Sequence, residues 1–360
     1  MTNNLPAKDV FGTFGFFRLY LASCVVLGHL SKWDGSCAQN AVFVFYLLSS
    51  YVVCYTLNHK YLPMEGGILK FYANRILRIY PAYWVMLIPC ALTAAYYPEA
   101  SDLVDGRIKF HPIFESPGSF IEFFSNILMM PTSNFYGNLL MPQYIPATWS
   151  VGIEFMFWLL VPALILSRTC FWVMVALTVI YNLVLNIMMY MRPDQWQWGY
   201  LSYFSILSAS LPSLLGMVLY HYKSKNRIRI PNYIGILFVA LFVYIQHWFR
   251  LSGNNAGHEQ LTICMFVGFG VIFYLGQIDT KKLPRRIREL DVLVGHMSYG
   301  MLLSHQLLAI HVINWTNMTN VRWDLALFSY TYPLTLAFSL IIYVVIEIPV
   351  DRLRAKLGHK

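Results

Sequence analysis

Apolar residues in this chain gather in runs long enough to cross the about 30 Å hydrocarbon core of a bilayer. They lie near 12–30, 41–57, 79–97, 149–166, 170–191, 199–221, 232–249, 260–278, 293–314 and 325–348. Each predicts a membrane-spanning helix, about ten in all. Two runs are less regular: 12–30 contains Arg18, and 199–221 is rich in Ser and Pro. The segment FIEFFSNILMM (120–130) is too short to cross and reads as an interfacial or re-entrant piece. It lies within the longest stretch between runs, roughly 98–148. That stretch carries Glu99, Asp102, Asp105, Glu115, Glu122 and several prolines, and is long enough to form a cap over the bundle.

Composition points the same way. Only 12% of the 360 residues are charged, 58% are hydrophobic, and mean hydropathy is +0.52. A soluble domain is about 25% charged, so this chain has too little charge to cover a globular surface. The expected fold is all-α, a polytopic helical bundle forming one domain over 1–360, with no visible internal repeat. The six cysteines (24, 37, 54, 90, 170, 264) are scattered and form no C-x-x-C, which suits small buried hydrophobes better than a disulfide or metal site. Arg18 interrupts the first apolar run, so that run reads as a retained span rather than a cleaved signal.

The net charge of +9 changes meaning once it is placed along the chain. With the N-terminus inside, the inner loops hold Lys60, Lys70, Arg75, Arg78, Arg168, the runs HYKSKNRIRI and KKLPRRIR, and Arg352, Arg354, Lys356 and Lys360. The outer side holds only Lys32, Arg107, Lys109, Arg192, Arg250 and Arg322. Basic residues favour the cytoplasmic side, so the expected topology is N-in, C-in. The basic balance is thereby explained as a topology signal, with no nucleic-acid partner required.

Ionisable residues inside a membrane are costly and mark functional sites by default. In RLYLASCVVLGHL, Arg18 and His29 are eleven positions apart, close to three helical turns, so they share a face with a rise of about 16 Å between them. Arg18 belongs near the inner boundary and His29 toward the outer leaflet. A plainer reading has Arg18 snorkelling to the interface and His29 capping the helix. In FYANRILRIYPAYW (71–84), Arg75 and Arg78 form an i, i+3 pair suited to binding oxyanions. The alternative there is an ordinary positive anchor with an aromatic belt of Tyr80, Tyr83 and Trp84. In IPATWSVGIEF, Glu154 lies about one turn inside a span behind Trp149 and Ser150. An isolated buried carboxylate needs a partner, and His29 at similar depth is a plausible one. His305, in SYGMLLSH, reads as a hydrogen-bonding residue of the bundle rather than a second base. Glu347, in VIEIP, stands with Pro349 at the inner end of the last span and is placed to pair with an inner arginine.

These stretches, in this order, resemble acyltransferase family 3, the integral-membrane O-acyltransferases that include O-antigen and other polysaccharide acetylases. The likeness rests on Arg18…His29, FYLLSSY (45–51), RILRIYPAYW, WSVGIE, SYGMLLSH and EIP, and extends over nearly the whole chain. There are departures. The family's Ser-Gly is Ser49-Ser50, the acidic residue often found before its aromatic run is replaced within Ala41-Val42-Phe43, and the second tyrosine of its S-Y-x-x-Y-L motif is Leu302. The hydrolase-like C-terminal domain of some members is not expected here.

The resemblance implies transfer of an acyl group, often acetyl, from cytoplasmic acyl-CoA to a sugar hydroxyl. The acceptor would be a cell-surface glycan or lipid-linked saccharide such as O-antigen. The location would be a bacterial cytoplasmic membrane. Arg18, Arg75 and Arg78, with Tyr80 beside them, are then expected to bind the CoA polyanion. His29 would take the acceptor's proton, since its pKa lies near neutrality, and Glu154 would orient it as the carboxylate does in a hydrolase triad. Trp149, Ser150, Ser49 and His305 are expected on the acceptor side. Two other readings stay open. One is a proton-coupled transporter using Arg18, His29 and Glu154 as a relay. The other is a sensor that binds acyl-CoA without turning it over.

Overall fold

The computed structural model describes residues 13–31, 36–96, 120–129, 144–145, 147–192, 201, 203, 205–225, 229–251, 258–316 and 325–357. Most of the expected 98–148 cap lies outside the described residues. Among the described residues the chain is helical and no strand occurs. Every apolar run becomes a helix: α1 (Gly15–Leu30), α2 (Ser36–Thr56), α3 (Gly67–Tyr96), α5 (Thr148–Leu166), α6 (Arg168–Met191), α7 (Ile206–Lys225), α8 (Asn232–Leu251), α9 (His258–Leu275), α10 (Arg285–Thr316) and α11 (Leu325–Ile342). A short α4 (Phe120–Ile127) lies between α3 and α5, and α12 (Ile348–Leu357) follows α11.

Among the described residues, five segments are long and apolar enough to cross a membrane on those grounds alone: Cys37–Tyr61, Gly67–Thr93, Thr148–Leu166, Arg168–Met191 and Leu325–Lys356. The remaining helices are shorter or more polar. α1 has 16 residues and packs between α2 and α10. α10 buries Ser298, Ser304, His305 and Gln306, polar groups that other helices must cover. α2 is the axis of the bundle, packed by α1, α5, α7 and α9. The outermost helices show the reverse pattern. α6 exposes Trp172, Val173, Leu177, Ile180, Leu183 and Ile187, an apolar face too extensive for water and suited to lipid. The protein is an all-α integral membrane bundle, as the apolar runs require, because a helix satisfies its own backbone groups in hydrocarbon.

α1 and α10 run side by side in fixed register. Gly15 N–H and Phe16 N–H donate to the Asp291 carboxylate at 3.1 and 2.9 Å. Two of the donors that α1 cannot satisfy within itself are therefore met by a neighbouring helix. The crossing is tight: a Cβ on Gly295 would come within 2.9 Å of Gly15 Cα. The same offset of 276 positions that pairs Gly15 with Asp291 also pairs His29 with His305 further up. Fourteen residues of parallel helix, about 21 Å at the α-helical rise, thus keep one alignment.

α4 is re-entrant. Its last turn is held by an aromatic row on α3: Tyr80 Oη donates to the Leu128 carbonyl at 2.7 Å, Trp84 Nε1 to Ile127 O at 2.9 Å, and the Tyr83 hydroxyl to Asn126 O. These side chains satisfy carbonyls that the end of a short helix leaves open. Tyr80 lies sixteen residues below the end of α3, or about 24 Å along the axis, so α4 dips well into the bundle.

One expectation about the last span is corrected. Glu347 and Pro349 do not end it. A single π-helical turn, Tyr343–Glu347, joins α11 to α12, and the helix runs on to Leu357. Pro349, the second residue of α12, follows that wide turn directly, and the helix continues through it. The wide turn leaves the Glu347 side chain buried, in keeping with the frequent use of π-turns at functional sites.

Candidate active site

A cavity of about 870 Å³ runs through the bundle between α1, α2, α3, α5, α10 and α12. Its lower end is basic. Six cations, Arg18, Lys60, Arg75, Arg78, Arg352 and Arg354, line it against three carboxylates, Glu154, Asp291 and Asp351. That excess favours an anionic occupant. Its upper part is mostly apolar, with Val25, Val42, Phe45 and Leu302, alongside Tyr46, Ser49 and Ser150.

The arginines fall into two kinds. Arg78 is already engaged: its Nη1 donates to Glu347 Oε2 at 2.9 Å and lies 2.8 Å from His296 Nδ1, which is itself 2.9 Å from the same carboxylate oxygen. Arg354 pairs with Asp351 and donates to Asn74 Oδ1 at 3.2 Å. Arg18 and Arg75, by contrast, bond to no carboxylate among the described residues. Arg75 lies against two aromatic rings, 5.3 Å from Phe71 and 5.2 Å from Trp158. It is 8% exposed, and its Nε has no hydrogen-bond partner. A buried guanidinium held there with an open donor is prepared for an oxyanion.

Six of the expected site residues share one place. Arg18, Arg75, Arg78, Ser49, Ser150 and Glu154 all line one cavity. Ser49 Oγ also accepts from Trp158 Nε1 at 3.0 Å, which ties the cavity wall to the ring that carries Arg75.

Two placements are corrected, those of Tyr80 and Glu154. Tyr80 does not lie with the arginines, since its hydroxyl serves α4 and its ring packs on Trp84 and Phe155. Trp149, expected on the acceptor side, lies off the wall of this cavity and packs on Tyr203, ring centroids 4.9 Å apart. Glu154 is not the partner of His29. Its carboxylate faces Ser49, Arg18 and Arg75, while His29 Nδ1 lies 2.9 Å from His305 Nε2. Depth along a helix fixes height but not direction, and these two side chains point apart.

His29 stands just beyond the cavity. Val25, one turn below it on α1, and Leu302, one turn below His305 on α10, form the upper wall. His305 is fully buried, whereas His29 keeps partial exposure.

Residues not anticipated also belong to the site. Lys60, Asn74, His296, Asp351 and Arg354 surround its lower end. A signal for two of them was present: Glu347, Asp351 and Arg354 follow the i, i+4, i+7 spacing of one helical face. Pro349 masks that face in the sequence, because a proline commonly ends a helix.

Comparison with known proteins gives one finding. A family model described as an acyltransferase domain, Acyl_transf_3, matches residues 8–348, nearly the whole chain. Neither the curated proteins nor the solved structures compared with the chain yield a match.

Proposed function

Because the chain belongs to acyltransferase family 3 and is a membrane acyltransferase, we propose that it carries an acyl group, acetyl foremost, from acyl-CoA to a hydroxyl of a cell-surface glycan such as O-antigen. The observation that carries this reading is the polarity of the cavity: a basic lower end, an apolar upper end, and His29 one turn above. Coenzyme A has the same polarity, with phosphates at one end and a slender thioester arm at the other.

In this reading Arg18 and Arg75 take the phosphates, with Lys60, Arg78 and Arg354 around them. The arm rises past Glu154 and Ser49, and the thioester carbonyl reaches the level of Val25 and Leu302. The acceptor oxygen attacks that carbonyl carbon. A C–O bond forms, the C–S bond breaks, the hydroxyl proton passes to His29, and CoA leaves as the thiolate. General-base help of this kind is worth about 10²–10⁴ in rate. Glu154 balances Arg18 and Arg75 within the channel. The charge asymmetry of the loops supports a donor end at the cytoplasmic face, and we take the membrane to be a bacterial inner membrane.

The transporter reading requires a polar path joining Arg18, Glu154 and His29. Glu154 faces the arginines instead, and apolar Val25 and Leu302 lie below His29. The test is to supply isotope-labelled acetyl-CoA to membranes with and without the protein and follow label into surface glycans by mass spectrometry. Protein-dependent labelling is expected. Solute flux that proceeds equally without acyl-CoA, and no labelled product, would contradict the reading.

A further inference from the structure

The His29–His305 pair has a geometry that fixes where its protons sit. His305 Nδ1 lies 2.9 Å from the Met301 carbonyl oxygen, one turn back on α10. A carbonyl oxygen only accepts, so Nδ1 of His305 carries a hydrogen. In neutral imidazole the other nitrogen is then bare, so His305 Nε2 is an acceptor. Its partner is His29 Nδ1, 2.9 Å away, which must donate. His29 Nε2 is left with a free lone pair.

The rings support this bond. Their planes differ by 14° and their centroids are 5.1 Å apart. That separation is close to the N···N distance plus two ring radii, so the rings meet edge to edge and the N–H points along the bond. Neither ring is bonded to a carboxylate among the described residues. His305 is itself immobilised, fully buried on the helix whose register with α1 is set by Asp291 and Gly15.

We infer that His305 is the positioning residue for His29: through the chain Met301 C=O, His305, His29 it selects the His29 tautomer whose Nε2 is free to accept a proton. This inference rests on the proposed role of His29 as base. It also says what orients the base here, where the expected Glu154 does not reach it and Phe43 stands where the family often has an acid. When His29 Nε2 takes the acceptor's proton, the Nδ1–H bond to His305 becomes charge-assisted and stronger. The imidazolium is then held without a carboxylate.

The test combines a spectroscopic and a kinetic readout. The protein is labelled with ¹⁵N-histidine and placed in lipid nanodiscs, and the His29 signals are assigned by their loss in His29→Ala. The expected pattern is a protonated Nδ1 and a bare Nε2 in the parent protein, shifting toward the Nε2–H form in His305→Ala. In turnover, His305→Ala should lower kcat by roughly a hundredfold or more while KM for acetyl-CoA changes less than about threefold. His305→Gln, whose amide oxygen can accept from Nδ1, should recover about tenfold of that loss. A protonated Nε2 on His29 in the parent protein overturns the inference, as does parental kcat in His305→Ala. If His305→Ala does not fold, the parent spectrum alone decides. If His29→Ala retains transfer, the base assignment fails, and the tautomer measurement stands apart from it.

Discussion

Arg75 on α3 and Trp158 on α5 face each other with the guanidinium 5.2 Å from the indole centroid. Phe71, one turn back on α3, lies 5.3 Å from the same guanidinium. These contacts hold a planar cation in place before any anion arrives, so less rotamer entropy is lost when one binds. Arg75→Lys keeps the charge but loses both the fork and the stacking. Its affinity for acetyl-CoA should fall about tenfold, the equivalent of roughly 1.4 kcal/mol. Trp158→Leu should weaken binding by a similar factor, within the about 0.5–2 kcal/mol range of cation–π contacts. Equilibrium binding in detergent or nanodiscs measures both. Unchanged affinity in both variants would remove the cavity's lower end as the donor site.

Arg78 and Glu347 are linked to the fold differently. Glu347 is 5% exposed and bonded to both Arg78 and His296, so removing its charge takes away the carboxylate that Arg78 bonds. Glu347→Gln should destabilise the protein by about 1–3 kcal/mol, and Arg78→Gln by a similar amount. The double variant should lose less than the sum of the two. Thermal unfolding of the purified variants checks this. Additive losses would mean that the pair is not coupled.

The α1–α10 crossing should tolerate no side chain. Gly295→Ala would place a Cβ 2.9 Å from Gly15 Cα, with backbone on the far side. A cost of about 1–3 kcal/mol is expected from overpacking. The shift should also disturb the His29–His305 pair, because the same register governs both. Transfer activity should therefore drop even at temperatures where the variant remains folded. Full activity in a destabilised Gly295→Ala would uncouple the crossing from the site.

The top of the cavity should set donor length. Val25 lies one turn below His29 and forms the upper wall. Val25→Phe should reduce turnover with longer acyl-CoA donors more than with acetyl-CoA, and Val25→Ala should shift preference the other way. A difference of about tenfold in kcat/KM is expected, the scale of one or two methylenes in an apolar pocket. Identical chain-length profiles in the three proteins would place the acyl group elsewhere.

Much of the fold was legible in the sequence because it depends on one-dimensional features. Runs of apolar residues mark helices, and the eleven residues of 120–130 were visibly too few to cross. The cavity's lower end was partly legible for the same reason: Arg75 and Arg78 share a helical face by spacing. Their division of labour was not. It depends on Trp158 and Glu347, 83 and 269 positions away in the chain, brought there by helix packing. Tyr80 could have been set aside sooner, since two residues beyond Arg78 a side chain points to another face. The His29–His305 pair shows the limit most clearly. Both residues were candidates, but hydropathy gives depth and not rotation about the helix axis. Nothing short of the Gly15–Asp291 register tells which neighbour His29 meets.

The most direct test of the proposed chemistry is to compare the parent protein with His29→Ala in the same proteoliposomes, measuring acetyl-CoA binding and acetyl transfer to a glycan acceptor together. Binding should stay within about twofold, since His29 lies above the cavity proposed to hold the donor, while transfer should fall by at least about 10²-fold. Transfer at the parental rate in a folded His29→Ala protein would contradict the assignment of His29 as the base.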